Sequence, residues 1–151
     1  MSGICISRYH DISCGHRIVG HEGKCAGLHG HNYRITFTAS AEKLDSLGRV
    51  VDFSVLKTAL CDWLEENWDH KFLYWEEDGV IDGMLSALAF FSQSLVAVPF
   101  NPTAENIAHY LLTTIGPQQL EGTGVTLQMV KVEETRKCSA LAMTGAKDER
   151  H

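Results

Sequence analysis

The chain has no excess of positive charge, no CxxC pair, no long apolar run and no internal repeat or low-complexity segment. Each absence removes a class of protein. Its 13 basic residues are outnumbered by 19 acidic ones, for a net charge of −6. No Lys/Arg stripe offsets that balance, which argues against a nucleic-acid partner. The most apolar window, Leu85 to Phe100, is broken by Ser86, Ser92, Gln93, Ser94 and Pro99, too short and too polar to span a bilayer, so no membrane partner is expected. Met1 to Ile12 contains no apolar stretch of signal-peptide length. The five cysteines, at positions 5, 14, 25, 61 and 138, are odd in number and widely spaced. Such usage predicts reduced thiols in a cytoplasmic protein rather than a disulfide framework. At 151 residues the chain is read as one domain, long enough to bury a real core.

What is present concentrates in Cys25-Ala26-Gly27-Leu28-His29-Gly30-His31, which holds a thiol and two imidazoles, with His16 a short way upstream. If His29-Gly30-His31 enters a strand, its two histidines share a face and both rings can converge on one ion. Gly30 carries no side chain to crowd that approach. Imidazole suits zinc, and three protein ligands leave a fourth position for water or substrate, as in a catalytic site. Cys25 either closes the site as a fourth ligand or stands as a free thiolate beside an open one. Cys14, two residues before His16, is a competing ligand.

Along the chain, Ile4 to Ser13 reads as a first strand; if it stays regular to His16, then His10, Ile12, Cys14 and His16 share a face. Gly20, Gly23, Gly27 and Gly30 mark a loop. Tyr33 to Ser40 alternates apolar and polar residues as a half-buried strand does. After a turn at Leu47-Gly48-Arg49, Asp52 or Ser54 caps a helix whose stripe is Val55, Leu56, Ala59, Leu60, Trp63 and Leu64. Trp75 to Pro99 is read as an insertion with a turn at Glu76-Glu77-Asp78-Gly79, a short helix and a strand at Leu95 to Phe100. A second helix starts at Asn101-Pro102-Thr103, buries Ile107, Ala108, Leu111, Leu112 and Ile115, and is expected to stop at Gly116-Pro117. Val125 to Glu134 is a strand whose apolar phase changes near Met129-Val130, as at a bulge. Its phase puts Glu134 on the face of Val130 and Val132. Ser139 to Thr144 is a last strand, and the polar tail from Lys147 to His151 is expected to fray. This order predicts an α+β fold, an antiparallel sheet with both helices on one face.

Most histidines have ordinary readings: His10, His21, His109 and His151 are taken as structural or solvated. Asp69-His70 is a surface pair or a proton-transfer pair in which the carboxylate orients the imidazole. Glu105, in the first turn of a helix, is a dipole partner or a pocket residue. Glu134 on an apolar face needs a ligand or partner, because an unpaired buried carboxylate costs several kcal/mol.

Taken together, Cys14-Gly15-His16-Arg17, Cys25 with His29-Gly30-His31-Asn32-Tyr33, Gly48-Arg49-Val50-Val51-Asp52-Phe53, Asp69-His70, Asn101-Pro102-Thr103-Ala104-Glu105-Asn106 and Glu134-Thr135 resemble the 6-pyruvoyltetrahydropterin synthase superfamily. Within it they are most similar to the bacterial 6-carboxytetrahydropterin synthases of queuosine biosynthesis, which share the short gap between the Cys and the HxH pair. The resemblance implies zinc on His16, His29 and His31, with Cys25 as catalytic proton acceptor and Asp69 and His70 completing a relay. It implies Glu134 as pterin anchor and part of that relay, with Thr103 and Glu105 nearby in the pocket. It further implies the tunnelling fold, a four-stranded antiparallel sheet with two helices that trimerises into a barrel and stacks as a hexamer, so that Cys25 and the Asp-His pair meet from different subunits. The implied reaction is a zinc-dependent lyase step on dihydroneopterin triphosphate, releasing acetaldehyde and triphosphate to leave 6-carboxytetrahydropterin. The alternatives are a 6-pyruvoyltetrahydropterin synthase and, from another class, a catalytically silent zinc-containing pterin-binding oligomer. Two departures stand out: the segment 75–100 is longer than in compact bacterial enzymes, and cations for a triphosphate are sparse, with Arg17, Lys24 and Lys71 the nearest.

Overall fold

The computed structural model describes residues 3–145; the expected fraying of Lys147–His151, and His151 with it, lies outside them. Six strands form one sheet in the order β4-β3-β1-β2-β5-β6. β1 (Ile6–His16) and β2 (His29–Ala41) pair antiparallel from Ile6↔Ala39 to His16↔His29. β5 (Val125–Thr135) pairs with β2, and β6 (Cys138–Met143) with β5, again antiparallel. β3 (Lys71–Trp75) runs parallel to the last three residues of β1, and β4 (Leu95–Val98) parallel to β3.

The four-stranded antiparallel sheet is therefore corrected to a six-stranded mixed sheet. The expected four strands are present, and β1 and β2 extend through the histidines. β3 had no alternation to announce it, although Phe72-Leu73-Tyr74-Trp75 is a run of strand-favouring residues. It is a parallel strand flanked on both sides, which reads as a continuous apolar run rather than a period of two. Gly15 admits it: a Cβ there would meet Phe72 Cδ2 at 2.7 Å.

Both helical segments lie on one face. The first, 53–67, starts at Asp52, whose carboxylate accepts the Ser54 N–H at 2.8 Å. The second, 104–119, starts at Thr103, whose hydroxyl accepts the Asn106 N–H at 3.1 Å. It does not stop at Gly116-Pro117. Gly116 N–H bonds to Leu111 O, five residues back, and this wide turn closes just before Pro117, which has no N–H to donate. The core joins Ile12, Tyr33, Ile35, Phe37, Val130 and Val132 of the sheet to Leu56, Leu60, Leu64, Ile107, Leu111 and Ile115 of the helices. Each such side chain stabilises the fold by roughly 1.5–3 kcal/mol when fully buried. The other face is polar: Arg34 grips Asp11 with two hydrogen bonds of 2.8 and 2.9 Å and lies over the Tyr9 ring.

β5 carries two irregularities. Thr38↔Met129 is followed by Ala39↔Leu127, which places the phase change at Gln128-Met129, one residue from the expected position. Glu133↔Ser139 is followed by Thr135↔Cys138, so Glu134 is the extra residue of a second bulge. No helix of the described residues is long and apolar enough to cross a membrane, and all five cysteines are free.

Candidate metal and substrate site

The end of β1 and the start of β2 carry the histidines to one place. His16 lies opposite His29 in the ladder, and His31 follows two residues on along the same face. The ring centroids are 4.4 Å (His16–His29), 5.1 Å (His16–His31) and 5.0 Å (His29–His31) apart. One nitrogen from each ring falls within 4.8 Å of the other two, and this group includes neither Cys25 nor Cys14. Gly15 and Gly30 face each other between the rings, and a Cβ on Gly30 would press to 3.2 Å from the Cys14 carbonyl. The close approach of two strands thus requires the glycine.

Backbone carbonyls decide which nitrogen each ring offers. His16 Nδ1–H donates to Pro102 O at 2.7 Å, and His29 Nδ1–H donates to Gly27 O at 2.9 Å. Both rings thereby keep Nε2 as a lone pair, the arrangement by which outer partners orient metal-ligating histidines. The Nε2 atoms of His29 and His31 are buried without a hydrogen-bond partner. Buried polar atoms are seldom left so. His16 is fully buried, and burial pulls its pKa down to about 4; burial also lowers that of His31, against the nearby Glu134. Three imidazoles with converging ring nitrogens fit a divalent ion such as zinc and leave a position open. Tyr33, in phase with His29 and His31, places its ring 5.4 Å from His31 and its hydroxyl 3.1 Å from His16 Nδ1. Burial raises its phenol above the ordinary range, so the hydroxyl stays protonated. Cys14 is a core residue whose thiol burial pushes up to about 12, which sets it aside as a competing ligand.

The remaining predicted residues fall on two sides of this cup. A cavity of about 330 Å³ is lined by Cys25, Thr103, Glu105 and Glu134, with His21 and Cys138. A wider cleft of about 980 Å³ is lined by Asp69, His70, His31 and Glu134, with Arg34 and Arg136. Glu134 is the predicted residue common to both, and its Oε2 stands 3.7 Å from His31 Nε2. Cys25 lines the smaller of these two cavities and His70 the wider.

Asp69 and His70 are laid along the free edge of β1 by the turn after the first helix. Ser13 N–H donates to Asp69 Oδ1 at 2.9 Å, and His70 N–H donates to Ser13 O at 2.7 Å. His70 Nδ1–H donates to Asp69 Oδ2 at 2.5 Å, leaving Nε2 outward on a side chain 81% exposed. Burial works to raise the Asp69 carboxyl, but the Ser13 N–H and the His70 ring outweigh it, and its pKa lies below the usual value. His70 is the one described residue other than glycine with positive φ, at 57°. Such strain of about 1–3 kcal/mol persists where surrounding contacts over-determine it, commonly at functional sites.

Two contributors had no reading as site residues. The Asn101 side chain brackets Val19, accepting Val19 N–H and donating to Val19 O, both at 2.9 Å. The Pro102 carbonyl orients His16, and a backbone acceptor carries no sequence signal. Tyr33 had one, its spacing of two from His31. His10, taken as structural, donates to Glu65 at 2.6 Å, and His21 Nδ1 accepts Gly23 N–H at 2.8 Å.

A mixed sheet with an open cup of three imidazoles, flanked by a thiol and a carboxylate, defines an α+β protein with a candidate divalent-metal centre. The family model described as 6-pyruvoyl tetrahydropterin synthase matches residues 5–144. The chain belongs to that family. It is 36% identical over 132 residues to the 6-carboxy-5,6,7,8-tetrahydropterin synthase of Rickettsia typhi, covering 87% of this chain and 94% of that one. It is 30% identical over 113 residues to the enzyme of the same name from Haemophilus influenzae, covering 73% and 80%. Among solved structures, an uncharacterized protein from Wolinella succinogenes superposes with a TM-score of 0.81 at 24% identity, over 93% of this chain and 98% of that one. The 6-pyruvoyl tetrahydropterin synthase of Caenorhabditis elegans gives 0.66 at 22%, over 94% and 96%. These two show the fold.

Proposed function

We propose that the protein is a zinc-dependent carbon-carbon lyase that converts 7,8-dihydroneopterin triphosphate and water to 6-carboxy-5,6,7,8-tetrahydropterin, acetaldehyde and triphosphate. The observation that carries the reading is Glu134, lodged in a bulge beside His31 and forming a wall of both cavities. The relatives named 6-carboxy-5,6,7,8-tetrahydropterin synthase support this reaction over the pyruvoyl-forming one.

His16, His29 and His31 would hold the zinc through ring nitrogens, Nε2 in the case of His16 and His29, whose Nδ1 atoms face backbone carbonyls. Bound there, the ion would polarise the oxygens of the substrate side chain and acidify the adjoining C–H and O–H groups. Glu134 accepts the donors of the pterin's amidine-like edge, a charge-assisted pairing that fixes the ring. Thr103 and Glu105 line the same cavity, the former with its hydroxyl already engaged as a helix cap. Cys25 receives a proton from the side chain, and His70, oriented through Nδ1 by Asp69, shuttles protons at its exposed Nε2. Cys25 and His70 occupy different cavities, which supports a site completed by a second subunit. The sheet has edges to support assembly, since β3 covers β1 only at Cys14–His16 and the outer side of β6 is unpaired. A homotrimer or hexamer is the proposed state.

Incubating zinc-loaded protein with dihydroneopterin triphosphate and identifying products by mass tests the reading. The expected products are 6-carboxytetrahydropterin and acetaldehyde. A 6-pyruvoyltetrahydropterin product would assign the other branch of the family, and pterin binding without conversion would make the protein a silent binder.

A further inference from the structure

Arg17 and Lys71, two of the three cations nearest the site in sequence, are both committed to segment 75–100. Lys71 Nζ donates to Gln93 O at 2.7 Å. Arg17 Nε meets Asp78 Oδ2 at 2.5 Å, an ion pair in which Asp78 is only 1% exposed and Arg17 16%. Asp78 Oδ1 caps the short helix Gly79–Met84, accepting the N–H groups of Val80 and Ile81 at 3.0 and 3.3 Å. A buried carboxylate with one oxygen on its own helix and the other on a distant guanidinium ties two parts of the chain together.

What Arg17 holds with its other nitrogen gives the tie a function. Arg17 Nη1 donates to Ala26 O at 3.2 Å, one residue after Cys25. The loop carrying Cys25 has few fastenings of its own. Its single helical turn, Lys24–Ala26, has no side-chain cap at its start and is followed by Gly27. Besides the Arg17 contact, it is anchored by Ile18 N–H on Cys25 O at 2.8 Å, by His29 Nδ1–H on Gly27 O at 2.9 Å and, further back, by Asn101 on Val19. The carbonyl end of the turn is its negative end, and a guanidinium donor there is favourable.

We infer that the Asp78–Arg17 pair is a positioning device through which segment 75–100 sets the placement of the Cys25 thiol over the substrate cavity. Arg17 bridges Asp78 and Ala26, and neither Lys nor Gln can span both. This rests on the reading of Cys25 as the proton acceptor, and the test separates the two.

Two variants are compared with the parent: Arg17→Lys, which keeps the charge but not the fork, and the double variant Arg17→Gln/Asp78→Asn, which leaves no unpaired buried charge while retaining the Oδ1 cap. The readouts are zinc content, Cys25 alkylation by iodoacetamide followed by peptide mass, and kcat and KM on dihydroneopterin triphosphate. Positioning predicts zinc retained in both and Cys25, now loosely held, alkylated at least about threefold faster. It also predicts kcat down about tenfold or more with KM changed little. Parent rates of alkylation and turnover in the double variant would overturn the inference and leave the pair a stabilising contact only. If the parent converts no substrate, the reaction assignment falls, and alkylation alone decides: faster Cys25 modification in both variants upholds the positioning role, and unchanged modification overturns it.

Discussion

The imidazole cup and the Asp69–His70 pair are both built against the end of β1, yet they are opposite in construction. The cup has one fully buried ring, His16, and two half-buried ones, with strand pairing to place them and carbonyls facing Nδ1 of His16 and His29. The pair sits on an uncovered strand edge, its imidazole 81% exposed and its backbone in a left-handed conformation. All three imidazoles of the cluster come from one chain. An exposed, strained imidazole faces outward to whatever docks there. The contrast separates a histidine cluster complete in one chain, which could hold a metal ion, from a pair left open to solvent.

The largest effect should come from breaking the cup. His29→Ala is expected to lower zinc affinity by more than the roughly 10–100-fold that follows loss of an outer-shell partner. Cys25→Ala should keep about one zinc per chain by metal analysis while turnover disappears. Loss of zinc from both variants alike would make the site closed by Cys25, and the mechanism wrong.

Next comes the separation of the two regions across subunits. Cys25→Ala and His70→Ala are each expected to be inactive with zinc bound. Co-expressed in equal amount, they should regain about a quarter of parental activity, because random assembly pairs an intact thiol with an intact imidazole at that frequency. No recovery would place both groups of one site on the same chain.

In zinc-free protein the cup should betray itself through pH. Burial lowers the pKa of His16 from an ordinary 6.5 to about 4 in the folded protein, so between those values the unfolded chain binds more protons. Stability is then expected to fall by about 3 kcal/mol as the pH drops from 7 to 4, read as a falling urea midpoint. A flat profile over that window would mean that His16 is not held neutral.

Glu134→Gln, where the two regions meet, should weaken binding of a pterin such as sepiapterin by roughly 1.5–3 kcal/mol, tenfold and upward in fluorescence titration. The smallest effect belongs to its neighbour. Glu133 pairs with Lys131 at 3.4 Å, and Glu133→Gln should change neither binding nor stability by more than about 0.5 kcal/mol. Equal losses in the two variants would mean that the bulge at Glu134 does not select the inward carboxylate.

Much of this was legible in residues that act through local periods. The alternation of Tyr33, Ile35 and Phe37 and the stripes beginning at Val55 and Ile107 mark β2 and both helices, since each follows from the geometry of one element. The HxH spacing likewise commits two rings to one face as soon as a strand is granted. β3 was not legible, because a strand flanked by parallel neighbours shows no alternation. Neither was the stop of the second helix, where a wide turn accommodates Pro117.

The sequence by itself determined the ligand types, their phase on the strands and the helix starts, all of which depend on neighbours a few residues apart. Only the tertiary structure decided that His16 lies opposite His29, that Pro102 and Gly27 leave Nε2 free, that Glu134 projects from a bulge between two cavities, and that Asp78 reaches Arg17. Those contacts join residues up to 103 positions apart, as His31 is from Glu134 in the chain. Their pairing is selected by the packing of the whole sheet, which no local spacing encodes.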